Sequence, residues 1–175
     1  MSLAIQVCKR NQSLENYQVN KLYKTLQKIL KNKINLIDQD LLISKVENQI
    51  FSNISTVQIT EILILTATSF IEKDPIYDKF AAGLLLQKVL REAFSQKSKD
   101  NDFTKTYRQT FINNLRKMKE ADIIDSRLLN FDLEKLSQVL VPERDNLFNY
   151  LGLETLYGRY FLRKDKKILE TPQAF

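Results

Sequence analysis

Histidine and tryptophan are absent from this 175-residue chain, and cysteine occurs once, as Cys8. Without histidine, the commonest general base and metal ligand is missing. A single thiol rules out a zinc ribbon, a dithiol redox pair and an internal disulfide within the chain, and it suggests a reducing cytoplasm. Gly and Pro number 3 each, too few for a turn-rich β fold. No apolar run reaches the roughly 18 residues of a membrane span. The opening Met1-Ser2-Leu3-Ala4 lacks the basic start and long apolar core of a secretory signal. Neither common glycine-rich phosphate loop occurs. Carboxylates are scattered at spacings typical of solvated helix faces, so no catalytic residue and no metal site is assigned.

What is present suits helices. Apolar residues make up 43% of the chain, enough for one medium domain or two small ones. The net charge is +6, with 12 Lys/Arg against 9 Asp/Glu in residues 1–95 and 15 against 12 in residues 96–175. Such an even spread argues against a nucleic-acid surface, which concentrates its charge in a stripe or block. The densest basic stretch, Arg163-Lys164-Asp165-Lys166-Lys167, reads as a solvated turn.

Residues 5–19 alternate loosely, with Ile5 and Val7 on one side and Asn11-Gln12-Ser13 as a polar turn, which predicts a short β-hairpin. Helical spacing follows. Leu22, Leu26, Ile29 and Leu30 make one apolar face, and Ile43, Val46 and Ile50 another. Ser55-Thr56-Val57-Gln58 fits a capping box opening a helix to about Ile71. Asp74-Pro75 starts a long helix to about Phe94, and Gly83 inside it implies close packing against a neighbour.

The polar stretch 95–102 reads as a linker. Beyond it, Phe103, Tyr107, Phe111, Leu115 and Met118 form a strong amphipathic stripe. Shorter helices are expected over Leu133–Leu140 and Pro142–Leu151, the second closed by Gly152 as a C-terminal cap. Tyr160-Phe161-Leu162 and Ile168-Leu169 flank the basic turn as a second hairpin. Thr171-Pro172 has the pattern of a helix start, with the hydroxyl as cap, so the chain is expected to be the front piece of a larger protein.

One cluster could bind an anion. Lys9 and Arg10 end the first strand, Glu15 follows the turn, and Lys21 opens the first helix. Charge-assisted bonds from Lys or Arg contribute about 1.5–3 kcal/mol each. The exposed amides of a helix start add partial positive charge. A triphosphate would fit; ordinary surface charge is the alternative.

Two stretches resemble the large (α) subunit of class I ribonucleoside-diphosphate reductase. The pattern Val7-x-Lys9-Arg10, Glu15, Lys21, followed by four helices and by Asp74-Pro75-Ile76-Tyr77 with Phe80-Ala81-Ala82, resembles the ATP-cone of that family. Arg127-Leu128-Leu129-Asn130-Phe131-Asp132-Leu133-Glu134-Lys135-Leu136, then Glu143-Arg144-Asp145-Asn146-Leu147-Phe148-Asn149-Tyr150-Leu151-Gly152, then Leu156-Tyr157-Gly158-Arg159-Tyr160-Phe161-Leu162, resembles the helical domain that follows the cone. Glu170-Thr171-Pro172-Gln173 is similar to the point where that domain leads into the catalytic barrel.

The resemblance implies a mainly α chain: residues 1–94 as a cone of a small β-hairpin and four helices, a linker at 95–102, and residues 103–175 as the start of a helical domain ending in a short β-hairpin. It implies ATP or dATP, with Mg²⁺, as allosteric effector. The nucleotide positions would be Lys9, Arg10, Glu15, Asn16, Tyr17, Gln18, Val19, Asn20, Lys21, Thr56, Thr60 and Arg91. Lys9 and Arg91 would hold phosphates, Lys21 would add charge, and Thr56 would help hold the nucleoside end. Implied partners are the rest of the large subunit with its barrel, the small (β) subunit and further copies of the α subunit. The thiyl-radical cysteine and the cysteine pair of the family's chemistry have no counterpart here.

The family pattern is not kept everywhere. Asn11-Gln12 stands for the usual Asp-Gly, Thr60 for a His or Asp, Gly83 for an Arg, and Arg91 where Lys is frequent. A degenerate cone acting only as a structural module is therefore the alternative. A DNA-binding regulator is the distant one, because cones also occur in a bacterial repressor that pairs them with a zinc ribbon.

Overall fold

Gln6–Cys8 (β1) and Leu14–Asn16 (β2) pair antiparallel, with Val7 opposite Glu15. The computed structural model describes residues 5–94 and 102–175. The turn between the strands is tight: the Gln12 amide donates to the Lys9 carbonyl at 2.9 Å, and the Lys9 amide to the Ser13 carbonyl at 2.8 Å. Gln12 closes it at φ 65, a left-handed conformation. The first strand thus ends at Cys8, and Lys9 and Arg10 belong to the turn.

A third strand, Ile54–Ser55 (β3), lies parallel to β1 on its other edge, with Cys8 beside Ser55, so the sheet order is β2-β1-β3. Sequence spacing gave no sign of this strand, which is two residues long and is held by a partner far away in sequence.

Four helices complete the first part: Asn20–Leu30 (α1), Gln39–Glu47 (α2), Thr56–Thr68 (α3) and Ile76–Ala93 (α4). Leu22, Leu26 and Leu30 of α1 are buried, as are Leu42, Ile43 and Val46 of α2. Asp38 caps α2 by accepting from the Leu41 amide at 2.9 Å. The capping box forms in full at α3, where Ser55 Oγ accepts from the Gln58 amide and Gln58 Oε1 accepts from the Ser55 amide. Asp74 Oδ1 accepts from the Ile76 amide at 2.9 Å, opening α4. Gly83 is a close-packing site, since a Cβ there would stand 2.5 Å from Ile29 Cγ2.

The chain divides into two compact units, residues 1–84 and 85–175. The expected linker at 95–102 lies outside the described residues except for Asp102, whose side chain accepts from the Lys105 amide and caps Phe103–Glu120 (α5).

In the second unit Tyr107, Ile112, Asn114 and Met118 of α5 are buried, while Phe103, at the head of the expected stripe, is 47% exposed. Buried Asn114 donates both amide hydrogens, to the Ala93 carbonyl at 3.0 Å and the Leu169 carbonyl at 2.8 Å. Leu133–Gln138 (α6) follows under an Asp132 cap.

The helix expected over Pro142–Leu151 is instead two elements: a 3-10 turn at Pro142–Leu147 and a helix at Tyr150–Thr155 (α7). Gly152 does not end a helix. It is the third residue of α7, and its amide donates to Asn149 Oδ1 at 2.8 Å. The Asn149 cap restarts the helix where the glycine rule predicted a stop. A π-helical turn, Leu156–Tyr160, leads to Arg163–Lys164 (β4) and Lys167–Ile168 (β5), an antiparallel pair. Asp165 and Lys166 between them both have positive φ, the geometry of a two-residue type I′ turn. The Thr171 hydroxyl does not cap the amides after it; it is buried beside the Tyr107 hydroxyl, and the Thr171 carbonyl accepts from the Ala174 amide.

Among the described residues no helix is long and apolar enough to cross a membrane.

Candidate functional site

Two parallel strands end together at β1 and β3. The pairing of Cys8 with Ser55 puts the next residues, Lys9 and Thr56, at neighbouring strand ends. Thr56 is also the first residue of α3. Alternation along β1 returns Lys9 to the face of Val7, diagonal to Glu15 on β2, a spacing that long side chains bridge.

The bridge is made. Glu15 Oε2 lies 2.6 Å from Lys9 Nζ, and Glu15 Oε1 lies 2.6 Å from Lys21 Nζ. One carboxylate therefore gathers a turn lysine and a helix lysine. The Lys21 hydrogen bond first, and the Lys9 hydrogen bond next, hold the Glu15 carboxyl below its ordinary range. Glu15 is the most enclosed of the three, with its side chain 23% exposed against 44% for Lys9 and 52% for Lys21. Arg10 is exposed at the turn.

Asn16, Tyr17, Gln18, Val19 and Asn20 form the passage from β2 into α1. Asn16 ends β2 opposite Gln6, and the Tyr17 amide donates to the Ile5 carbonyl at 2.8 Å. The Tyr17 hydroxyl donates to Glu47 Oε1 at 3.2 Å, and burial, with Glu47 close by, pushes its pKa up. Val19 is the N-cap of α1 and supplies no side-chain acceptor, so the helix entry is closed by backbone bonds from the Lys21 amide to Gln18 and the Leu22 amide to Val19. Thr60 sits one turn into α3, and its hydroxyl donates back to the Thr56 carbonyl at 2.9 Å.

Arg91 is an exposed residue of the α4 segment that belongs to the second unit, with Nη2 3.3 Å from Gln87 Oε1. The structure thus brings together Lys9, Glu15 and Lys21 and sets Thr56 at the adjoining strand end.

Residues 5–91 match the ATP cone domain. The first part of the chain is an ATP cone domain. The cone accounts for the hairpin and the four helices, and similarity to curated proteins runs beyond it. The chain is 36% identical over 141 residues to the ribonucleoside-diphosphate reductase subunit alpha of Chlamydia muridarum, covering 79% of this chain and 13% of that protein. It is 31% identical over 172 residues to subunit alpha of Helicobacter pylori, covering 97% and 21%. It is 29% identical over 176 residues to the ribonucleoside-diphosphate reductase large subunit of Variola virus, covering 95% and 22%. The similarity is to the N-terminal region of these subunits. The chain spans only 13–22% of the length of the relatives named here.

An ATP cone is a nucleotide-binding regulatory domain, and Lys9 and Lys21 are cations of the kind that make charge-assisted hydrogen bonds, here to Glu15. Strand pairing that sequence spacing missed is what sets Thr56 beside Lys9. The capping box at Ser55 was legible, but nothing in its spacing said which strand it would join.

Proposed function

We propose that the chain is the nucleotide-sensing, allosteric portion of a ribonucleoside-diphosphate reductase large subunit, with ATP or dATP as effector. The observation that carries this reading is the convergence of Lys9 and Lys21 on the two oxygens of Glu15, beside the strand end that bears Thr56. In this reading Lys9 and Arg91 hold phosphates, Lys21 adds charge at the entry to α1, and Thr56 helps hold the nucleoside end. Arg10, Glu15, Asn16, Tyr17, Gln18, Val19, Asn20 and Thr60 line the remainder. Mg²⁺ would arrive on the phosphates and keep most of its waters. Among the described residues no group of three or more His, Cys, Asp or Glu could hold a metal ion by itself.

The functional division proposed is a regulatory domain at 1–94, a linker at 95–102, and the start of a helical domain at 103–175 that continues into the catalytic barrel. The partners proposed are that barrel, the small subunit and further copies of the α subunit. Leu147 at 74% exposure and Leu151 at 71% are large apolar side chains exposed to solvent on the second unit, and they suit a seat for the rest of the subunit. A switch needs the two nucleotides to favour different assemblies, typically by about 1–3 kcal/mol, because equal affinity for both assemblies shifts nothing.

Calorimetric titration with ATP and with dATP tests the reading. Saturable binding of at least one nucleotide is expected. Silence at millimolar nucleotide, with circular dichroism showing a folded helical chain, would overturn it and leave the cone a structural module.

A further inference from the structure

Within the cluster that would take the phosphates, one group opposes an anion. Glu15 is bonded at 2.6 Å to both lysines that a polyphosphate would need, and it is more enclosed than either. The two lysines hold its carboxyl low, so it stays ionised across the neutral range. The strand register makes the contact with Lys9 a built one, since Glu15 faces Val7 directly and Lys9 diagonally. From this geometry we infer that Glu15 is a built-in competing anion: a polyphosphate must take Lys9 and Lys21 from it, and Glu15 thereby sets the affinity threshold of the site.

The inference rests on the nucleotide reading given above and specifies how that site is regulated. A phosphate oxygen accepts the same charge-assisted bonds that the carboxylate accepts now. Binding is then an exchange of one anion for another, with Glu15 left close to the newcomer and repelling it. The cost is the same for any ligand that docks on the two lysines, whatever its base. Weakly charged anions fall below the threshold, and a triphosphate tail exceeds it.

The test uses the 175-residue chain in magnesium-free buffer with EDTA. Wild type and Glu15→Gln are titrated with ATP and with inorganic tripolyphosphate at several salt concentrations. Glutamine keeps the size and an oxygen acceptor but removes the charge. Glu15→Gln is expected to bind both probes about tenfold more tightly, by a similar factor for each, because two neighbouring charges a few ångströms apart near a surface interact on that scale. Its affinity should also fall more steeply with salt, because the two lysines would no longer carry an internal counter-ion. Adding Lys9→Met to Glu15→Gln should cancel much of the gain. If wild type binds and Glu15→Gln binds equally or more weakly, the competing-anion role is overturned while the nucleotide reading stands. If neither protein binds either probe, both are overturned.

Discussion

The Tyr107 hydroxyl donates to Asp145 Oδ2 at 2.8 Å, joining α5 to the 3-10 turn at Pro142–Leu147 across 38 residues of chain. Both groups are buried, and Gln173 Nε2 adds a contact to Asp145 Oδ1 at 3.3 Å. Burial pushes the Asp145 carboxyl up, and the hydrogen bonds from Tyr107 and Gln173 only partly offset it. A folded-state pKa above the unfolded value favours the fold while the carboxyl is protonated, and the advantage is lost as pH rises through the folded value. Asp145→Asn should therefore be more stable than wild type at pH 7, with the difference shrinking towards pH 4. Tyr107→Phe leaves the carboxylate short of a donor and should cost about 1–3 kcal/mol. Urea unfolding at a series of pH values checks both.

Gly83 of α4 packs against Ile29 of α1 with no room for a side chain between them. Gly83→Ala gains about 1 kcal/mol of helix propensity but forces a methyl to 2.5 Å from Ile29 Cγ2. Overpacking of this kind costs about 1–3 kcal/mol, so a net loss is expected. In an Ile29→Ala background, which removes that Cγ2, Gly83→Ala should cost less than in wild type. Equal costs in the two backgrounds would show that the contact is not the cause.

Gln12 sits at φ 65 in the β1–β2 turn, where a side chain is disfavoured. Gln12→Gly removes that cost but gives back some unfolded-state entropy, for a net stabilisation of about 0.5–1 kcal/mol. Thermal unfolding is the measurement. A decrease in stability would mean that the Gln12 side chain contributes something the turn geometry does not show.

Lys9→Ala and Lys21→Ala should each weaken ATP binding about tenfold or more, since a charge-assisted hydrogen bond contributes about 1.5–3 kcal/mol. The two changes touch one carboxylate, so the double variant should depart from the sum of the singles. Thr60→Ala should change affinity little, because its hydroxyl already donates to the Thr56 carbonyl. Titration of the four variants against the folded wild type checks the ranking.

The sequence by itself determined the features whose causes are local. The capping box at Ser55 and Gln58, the Asp74 start of α4, the hairpin turn at Asn11-Gln12 and the close-packed glycine in α4 each depend on residues within a few positions or on one helical face. The family pattern around Lys9, Glu15 and Lys21 was legible for the same reason.

Tertiary structure decided the rest. β3 is two residues long and exists because β1 offers a free edge. Asn114 interrupts an apolar face yet is buried, because its two amide hydrogens reach carbonyls 21 and 55 residues away. Phe103 fits the stripe but is 47% exposed at the head of α5. Gly152 looked like a stop, and the Asn149 side chain made it part of a new helix. Spacing names the residues of a site, but the partner that holds each one is set by strand register and by buried groups that must find a hydrogen bond, and those partners come from distant parts of the chain.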